Sequence, residues 1–326
     1  MKCLVTGATG FLGTNLVHEL VKKGWQVRAA GFPGSETRYI QDTGVEIVFG
    51  DVTDPHEVNE QVRGCDVVFH VAGDTSFWKK NYERQRRINV QGPVNVAEAC
   101  LRHGVKRMVH TSTVDSIGYN PRGLADENWK EYNYANTGYN YADTKREGEM
   151  LVRQYNDRGL ETVILHPGSM IGPFDYTLQF GRIFFDLRDG KIPGCPTGGG
   201  PFAHVRDVAR AHIAAMEKGR PGQGYICAGV NVTYRELFQL MARKVNAKCP
   251  RFDIPPKLFV LYGYLEECIA NFTGKAPEMN PGQARYMSVK AFYTSAKAER
   301  ELGYGITPLE QQIDDAFNWY VEQGFL

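Results

Sequence analysis

Short apolar runs alternate with longer amphipathic stretches through the first half of the chain. The runs fall at residues 2–6, 26–30, 45–49, 67–71, 107–111 and 162–166, and each is rich in Val and bounded by Gly, Asp or His. Near-continuous apolar strands of this length suit a sheet covered on both faces. Between them, residues 11–23, 55–62, 93–103 and 137–158 show helical spacing. Strand-helix alternation predicts an α/β fold built on a doubly wound parallel sheet.

Beyond about residue 168 the rhythm changes. Residues 190–201, GKIPGCPTGGGP, are rich in Gly and Pro and read as loop. Residues 202–206 and 224–227 read as extended pieces flanking a helix at 207–218, and residues 233–326 are mostly helical in pattern. The expected division is a dinucleotide-binding part at 1–168, to which 202–228 return, and a smaller, mainly helical C-terminal lobe at 169–201 and 229–326 for the substrate. The apolar, aromatic stretch 258–269 is expected to cover the pocket, or else to form a dimer surface or touch a membrane.

Composition narrows the picture. Of 326 residues, 42% are apolar, enough for a large core without disulfides. Lys+Arg number 38 and Asp+Glu 37, so no basic excess suggests nucleic acid as a partner. No run of about 18 apolar residues predicts a membrane span. Glycine enters too early for a secretory signal. Seven cysteines without a CxxC pair read as reduced thiols in a cytoplasmic chain. No metal-ligand spacing is present, so no metal site is expected.

Thr6-Gly7-Ala8-Thr9-Gly10-Phe11-Leu12-Gly13 joins the first strand to the first helix. Gly7 permits a tight turn, Gly10 lets a pyrophosphate approach the backbone, and Gly13 lets helix and strand pack closely. The helix N-terminus then offers free N–H groups to phosphate. An acidic residue ending the second strand would select NAD, but that segment reads AAGFPGS. Ser35 and Arg38, with Arg28, could instead meet a 2′-phosphate, so the reading leans to NADP, with NAD as the alternative. Asp51, beside Val52, is placed to meet the adenine amino group.

Tyr141 and Lys145, four residues apart in YADTK, share a helix face. An ammonium near a phenol favours the phenolate and lowers its pKa towards working pH, which gives a general acid or base. Tyr139, with Asp143 at the corresponding position, lacks this partner. A hydroxyl must also orient the substrate oxygen. Thr113 in Thr111-Ser112-Thr113 is preferred, with Ser112 the competing assignment. Asp74, Phe77 and Trp78 follow the fourth strand and, with Tyr119, Met170 and Phe202, are candidates to line the substrate pocket. His70 reads as a core histidine.

TGATGFLG, GDVTD, VFHVAG, Asn89-Val90, TST, YADTK, HPGSMIGP and HVRDVA together resemble the extended short-chain dehydrogenase/reductase family, over nearly the whole chain. The resemblance implies a Rossmann fold, with Tyr141 as proton donor or acceptor, Lys145 as its activator and ribose ligand, and Thr113 as the substrate-oxygen hydroxyl. It places Val71, Ala72, Gly73, Pro167 and Ser169 near the cofactor and makes Asn89 a structural helix residue. Within the family the chain looks like the branch of dihydroflavonol reductases and 3β-hydroxysteroid dehydrogenases. His166 stands where Arg often precedes Pro167, and Phe32 where the plant reductases carry their NADP-selecting arginine. The implied activity is hydride transfer between a nicotinamide and a ketone, aldehyde or secondary alcohol. The alternative is an NDP-sugar epimerase or dehydratase using bound NAD. A homodimer through 93–103 and 137–158 is implied in the same way.

Overall fold

The computed structural model describes residues 1–326. Seven parallel strands form the central sheet: β1 (Lys2–Thr6), β2 (Gln26–Gly31), β3 (Glu46–Phe49), β4 (Val67–His70), β5 (Arg107–Thr111), β6 (Glu161–Pro167) and β7 (Gly224–Cys227). Their spatial order is β7-β6-β5-β4-β1-β2-β3. The order reverses between β1 and β4, and in such sheets ligands bind outside the carboxyl ends of the strands at that point.

Strand alternation divides the core in two, because successive side chains point to opposite faces. Cys3, Val5, Phe69, Val109 and Val163 pack under α1 (Phe11–Lys22) and the later helix Val205–Lys218. Leu4, Val68, Met108 and Ile164 pack on the other face under α2 (Pro55–Val62), α3 (Gly92–Arg102) and α4 (Asn140–Arg153). The helix starts follow local chemistry. Asp54 caps α2 by accepting from the amides of His56 and Glu57, with Pro55 as first helical residue. His204 caps Val205–Lys218 through the Arg206 amide, so extended structure ends at 204 rather than at 206.

The remaining elements gather round a separate cluster that includes Phe184, Tyr234, Leu237, Ile313, Trp319 and Tyr320. The Gly-Pro stretch expected as loop is strand in part: Cys195–Pro196 and Gly199–His204 are extended. Gly199 pairs with Thr233 in register, and a Cβ there would lie 2.5 Å from the Val232 carbonyl oxygen. The glycine therefore permits pairing that a side chain would block. The stretch 258–269 lies in the helix Pro256–Thr273, which buries Phe259, Gly263 and Ala270. Leu258, Leu261, Leu265, Ile269 and Phe272 remain exposed. No residue of this helix lines the cavity described below. No helix is long and apolar enough to cross a membrane.

Candidate active site

A cavity of about 350 Å³ opens at the carboxyl ends of β1, β4 and β5. Gly7 turns the chain there with φ of 65°, and a Cβ on it would lie 2.8 Å from the Ala72 backbone. A Cβ on Gly13 would lie 2.0 Å from the Gly7 carbonyl oxygen. Helix and strand can cross this closely only because both side chains are missing. Gly10 begins α1 with no side-chain cap, so the first helical amides have no partner from that residue. The second wall hangs on Thr6, whose Oγ1 accepts from the amides of Val71 and Ala72 and meets His70 Nδ1 at 2.8 Å.

Of the residues expected to hold a dinucleotide, Gly7, Thr9, Gly10, Phe11, Leu12, Gly13, Ser35, Asp51, Val52, Val71, Ala72, Gly73, Lys145 and Pro167 line this cavity. Arg38 and Ser169 do not. Arg38 is exposed, ion-paired with Glu36 and stacked over the Tyr39 ring. Arg28 is turned to Glu46 and the carbonyls of Gln61 and Arg63. The pocket end beside Ser35 and Phe32 thus contains neither of the arginines considered for a 2′-phosphate. Both arginines are ion-paired with residues other than those of the cavity, Arg38 with Glu36 and Arg28 with Glu46.

Thr113, Tyr141 and Lys145 line the same cavity. Lys145 Nζ donates to the Thr111 carbonyl at 2.6 Å. Ser112 also faces the cavity, but its hydroxyl donates to Glu149 at 2.6 Å. A hydroxyl has one proton to give; Thr113 turns its own towards Asp115 over a longer 3.3 Å, so it is the less tightly held of the two. Asn89 donates to the Asp74 carbonyl and to Thr144, and accepts from the Asp74 amide at 2.8 Å. It ties the segment after β4 to α4.

The titration of the pair differs from the expectation that the ammonium would pull the phenol down. Burial pushes Tyr141 above its ordinary range, the Asp115 carboxylate adds to this, and the Thr113 hydroxyl opposes it. Burial also brings Lys145 down to about 8, against the attraction of Glu149. Desolvation is the largest cause for both, because both groups are enclosed. Near neutral pH Tyr141 is therefore a protonated phenol.

The candidates for the substrate wall separate. Met170 lines the cavity. Phe77 stacks on Tyr139 with ring centroids 5.6 Å apart and lies 6.3 Å from the Tyr141 ring. Asp74 is buried and turned to Arg84 and the Ser76 amide. Trp78 is half-buried under Lys80, and Tyr119 packs on Tyr134. Phe202 lies in the lobe core against Phe180 and Tyr234. Asp74, Phe77, Trp78, Tyr119 and Phe202 thus sit outside the cavity lining, because their neighbours hold them elsewhere. Thr75, Ile88 and Gln179 line the cavity without having been singled out. Gln179 arrives on a loop pinned by Asp175, which accepts from the amides of Gln179, Phe180 and Gly181. An Asp four residues ahead was the one local signal for that loop.

The fold and the glycine turn define a Rossmann-type dinucleotide enzyme. Residues 3–228 match the NAD dependent epimerase/dehydratase family, and the chain belongs to it. It is 30% identical to the sterol demethylase protein B of Methylococcus capsulatus, over all of both chains. It is 31% identical to the 3beta-hydroxysteroid-dehydrogenase/decarboxylase isoform 1 of Arabidopsis thaliana, over 95% of this chain and 77% of the other. Among solved structures it is similar to gox2253, at 28% identity, a TM-score of 0.86 and 99% coverage of each chain. The chain is an NAD(P)-dependent oxidoreductase of the extended short-chain dehydrogenase/reductase type.

Proposed function

We propose that this chain is a carbonyl reductase and alcohol dehydrogenase acting on an apolar ketone or aldehyde and the matching secondary or primary alcohol. One observation carries the reading: Thr113, Tyr141 and Lys145 open into the same cavity as the Gly7–Gly13 turn. Relatives named for sterol, 3β-hydroxysteroid and 2-alkyl-3-oxoalkanoate chemistry support an apolar substrate. Residues 169–201 and 229–326 form the part that selects it.

The residues present fit a dinucleotide. The α1 amides suit a pyrophosphate, Asp51 an adenine amino group, and Lys145 a ribose hydroxyl. When bound, the nicotinamide supplies the hydride. The protein's own contribution is a proton and a placed field. Tyr141 gives its phenolic proton to the oxygen that gains charge, while Thr113 donates a hydrogen bond to the same atom. Lys145 replaces the charge balance as the phenolate forms. We assign NAD as the cofactor, since no cation lines the pocket beside Ser35.

The test is oxidation of NADH and NADPH over a ketone and aldehyde panel, with Tyr141→Phe alongside. We expect turnover to fall by about 10²–10⁴-fold in the variant, while nucleotide still binds. Near-normal turnover would exclude the assignment. Purified protein that retains nucleotide and consumes none over the panel would favour internal redox, as in an epimerase.

A further inference from the structure

Asp115 is 5% exposed, lies two residues after Thr113, and was not singled out in the sequence. Its Oδ2 accepts from Tyr139 at 2.7 Å and from the Thr113 hydroxyl at 3.3 Å. Its own amide donates back to Thr113 Oγ1 at 3.3 Å. Its Oδ1 is buried without a partner. The Thr113 proton thus points to a carboxylate over a long 3.3 Å contact, and while it does so it is not given to a substrate oxygen.

We infer that Asp115 is a positioning residue acting through Thr113: ionised, it holds the Thr113 proton away from the reacting oxygen, and protonated at Oδ1, it releases it. This rests on the reading of the site as a carbonyl reductase. The proton comes from solvent and rests on the free Oδ1, while Oδ2 keeps the Tyr139 bond. Neutral Oδ2 is the weaker acceptor, so the long Thr113 contact is the one given up and Thr113 turns its proton towards the cavity. Protonated Asp115 therefore favours carbonyl reduction. Ionised Asp115 makes Thr113 an acceptor for an alcohol O–H and favours oxidation.

Among the groups that titrate below neutrality, Asp115 is the one bonded to Thr113. Burial raises it to about 6, against the hydrogen bonds from Tyr139 and Thr113. The phenols of Tyr134, Tyr139, Tyr141, Tyr234, Tyr286 and Tyr293 feel its charge, and burial pushes all of them upward, so they stay neutral. Tyr132 is likewise raised and donates to Asp143, itself raised by burial. Lys145, at about 8, titrates later.

The experiment measures kcat/KM for ketone reduction against pH, in wild type, Asp115→Asn and Tyr139→Phe, with nucleotide binding as the folding control. Wild type should lose about tenfold between pH about 5.5 and about 7.5. Asp115→Asn should be flat over that window. Tyr139→Phe should move the fall to higher pH, since one donor to the carboxylate is gone. An unchanged fall in Asp115→Asn, or an unmoved one in Tyr139→Phe, overturns the inference. If Asp115→Asn fails to bind nucleotide, Tyr139→Phe decides. If wild type turns over no carbonyl, the reductase reading fails separately, and NMR titration of the Asp115 carboxyl takes over. Upward movement in both Tyr139→Phe and Thr113→Val supports the linkage, and no movement in Thr113→Val overturns it.

Discussion

Lys145 Nζ lies 2.6 Å from the main-chain carbonyl oxygen of Thr111, which fastens the amine of α4 to the end of β5. Burial lowers this amine to about 8, so its charge is lost as pH rises through that value. We expect kcat/KM to fall above pH about 8. In Lys145→Arg that limb should disappear from the remaining activity, because a guanidinium stays charged throughout. A pH–rate profile of the two proteins checks this.

Thr113 and Ser112 are adjacent hydroxyls with different partners. Thr113→Val should cost about 10²–10³ in kcat, the range seen when one donor to a developing oxyanion is removed, and Thr113→Ser should restore most of it. Ser112→Ala should leave turnover within a few-fold. Glu149 keeps Ser116, His166 and Arg153 after that change, so the stability loss should be about 1 kcal/mol. Steady-state kinetics and denaturant unfolding separate the two roles.

Nucleotide choice turns on the pocket end beside Ser35. A cation placed there can make a charge-assisted bond to a 2′-phosphate, worth about 1.5–3 kcal/mol. Ser35→Arg should therefore raise the affinity for NADP relative to NAD by about 10–100-fold. Calorimetric titration of both nucleotides against both proteins checks the shift. Wild type should bind NAD at least as tightly as NADP.

Acid sensitivity should come from buried histidines. Burial lowers His70 to about 3 and His212 to about 4, the latter partly opposed by the Val208 carbonyl. Both folded values lie below the unfolded value of 6.5. Their stabilisation is present above that pH and is lost as pH falls below it, because the unfolded chain then binds protons the folded chain refuses. Each should contribute a loss of about 1.4 kcal/mol per pH unit below about 6.5 until its folded value is reached. Tm measured from pH 7 to 5 should fall, and less steeply in His212→Gln.

Much of the sheet was legible because its strands are local patterns. β1 and β5 begin and end where the apolar runs do, and α2 where Pro55 and Asp54 place it. The glycine turn was legible because its spacing is itself the geometry. Side-chain direction was not. Arg38 and Phe202 sit at sequence positions compatible with a site, but Glu36 and Tyr39 turn the first elsewhere and Phe180 and Tyr234 the second. Asp115 escaped because its meaning comes from Tyr139, a residue across the fold. The upward push on the Tyr141 phenol comes from burial and from Asp115, neither of which the spacing of Tyr141 and Lys145 displays.

The bonds that steady the reactive amine and its strand run to main-chain atoms: Lys145 to the Thr111 carbonyl, and the Ser112 amide to the Leu165 carbonyl. Substitution cannot delete a main-chain acceptor. Met170 and Gln179, by contrast, reach the cavity as replaceable side chains. The placement of the reactive amine is therefore inherited with the backbone, while the lining that meets the substrate can change one side chain at a time.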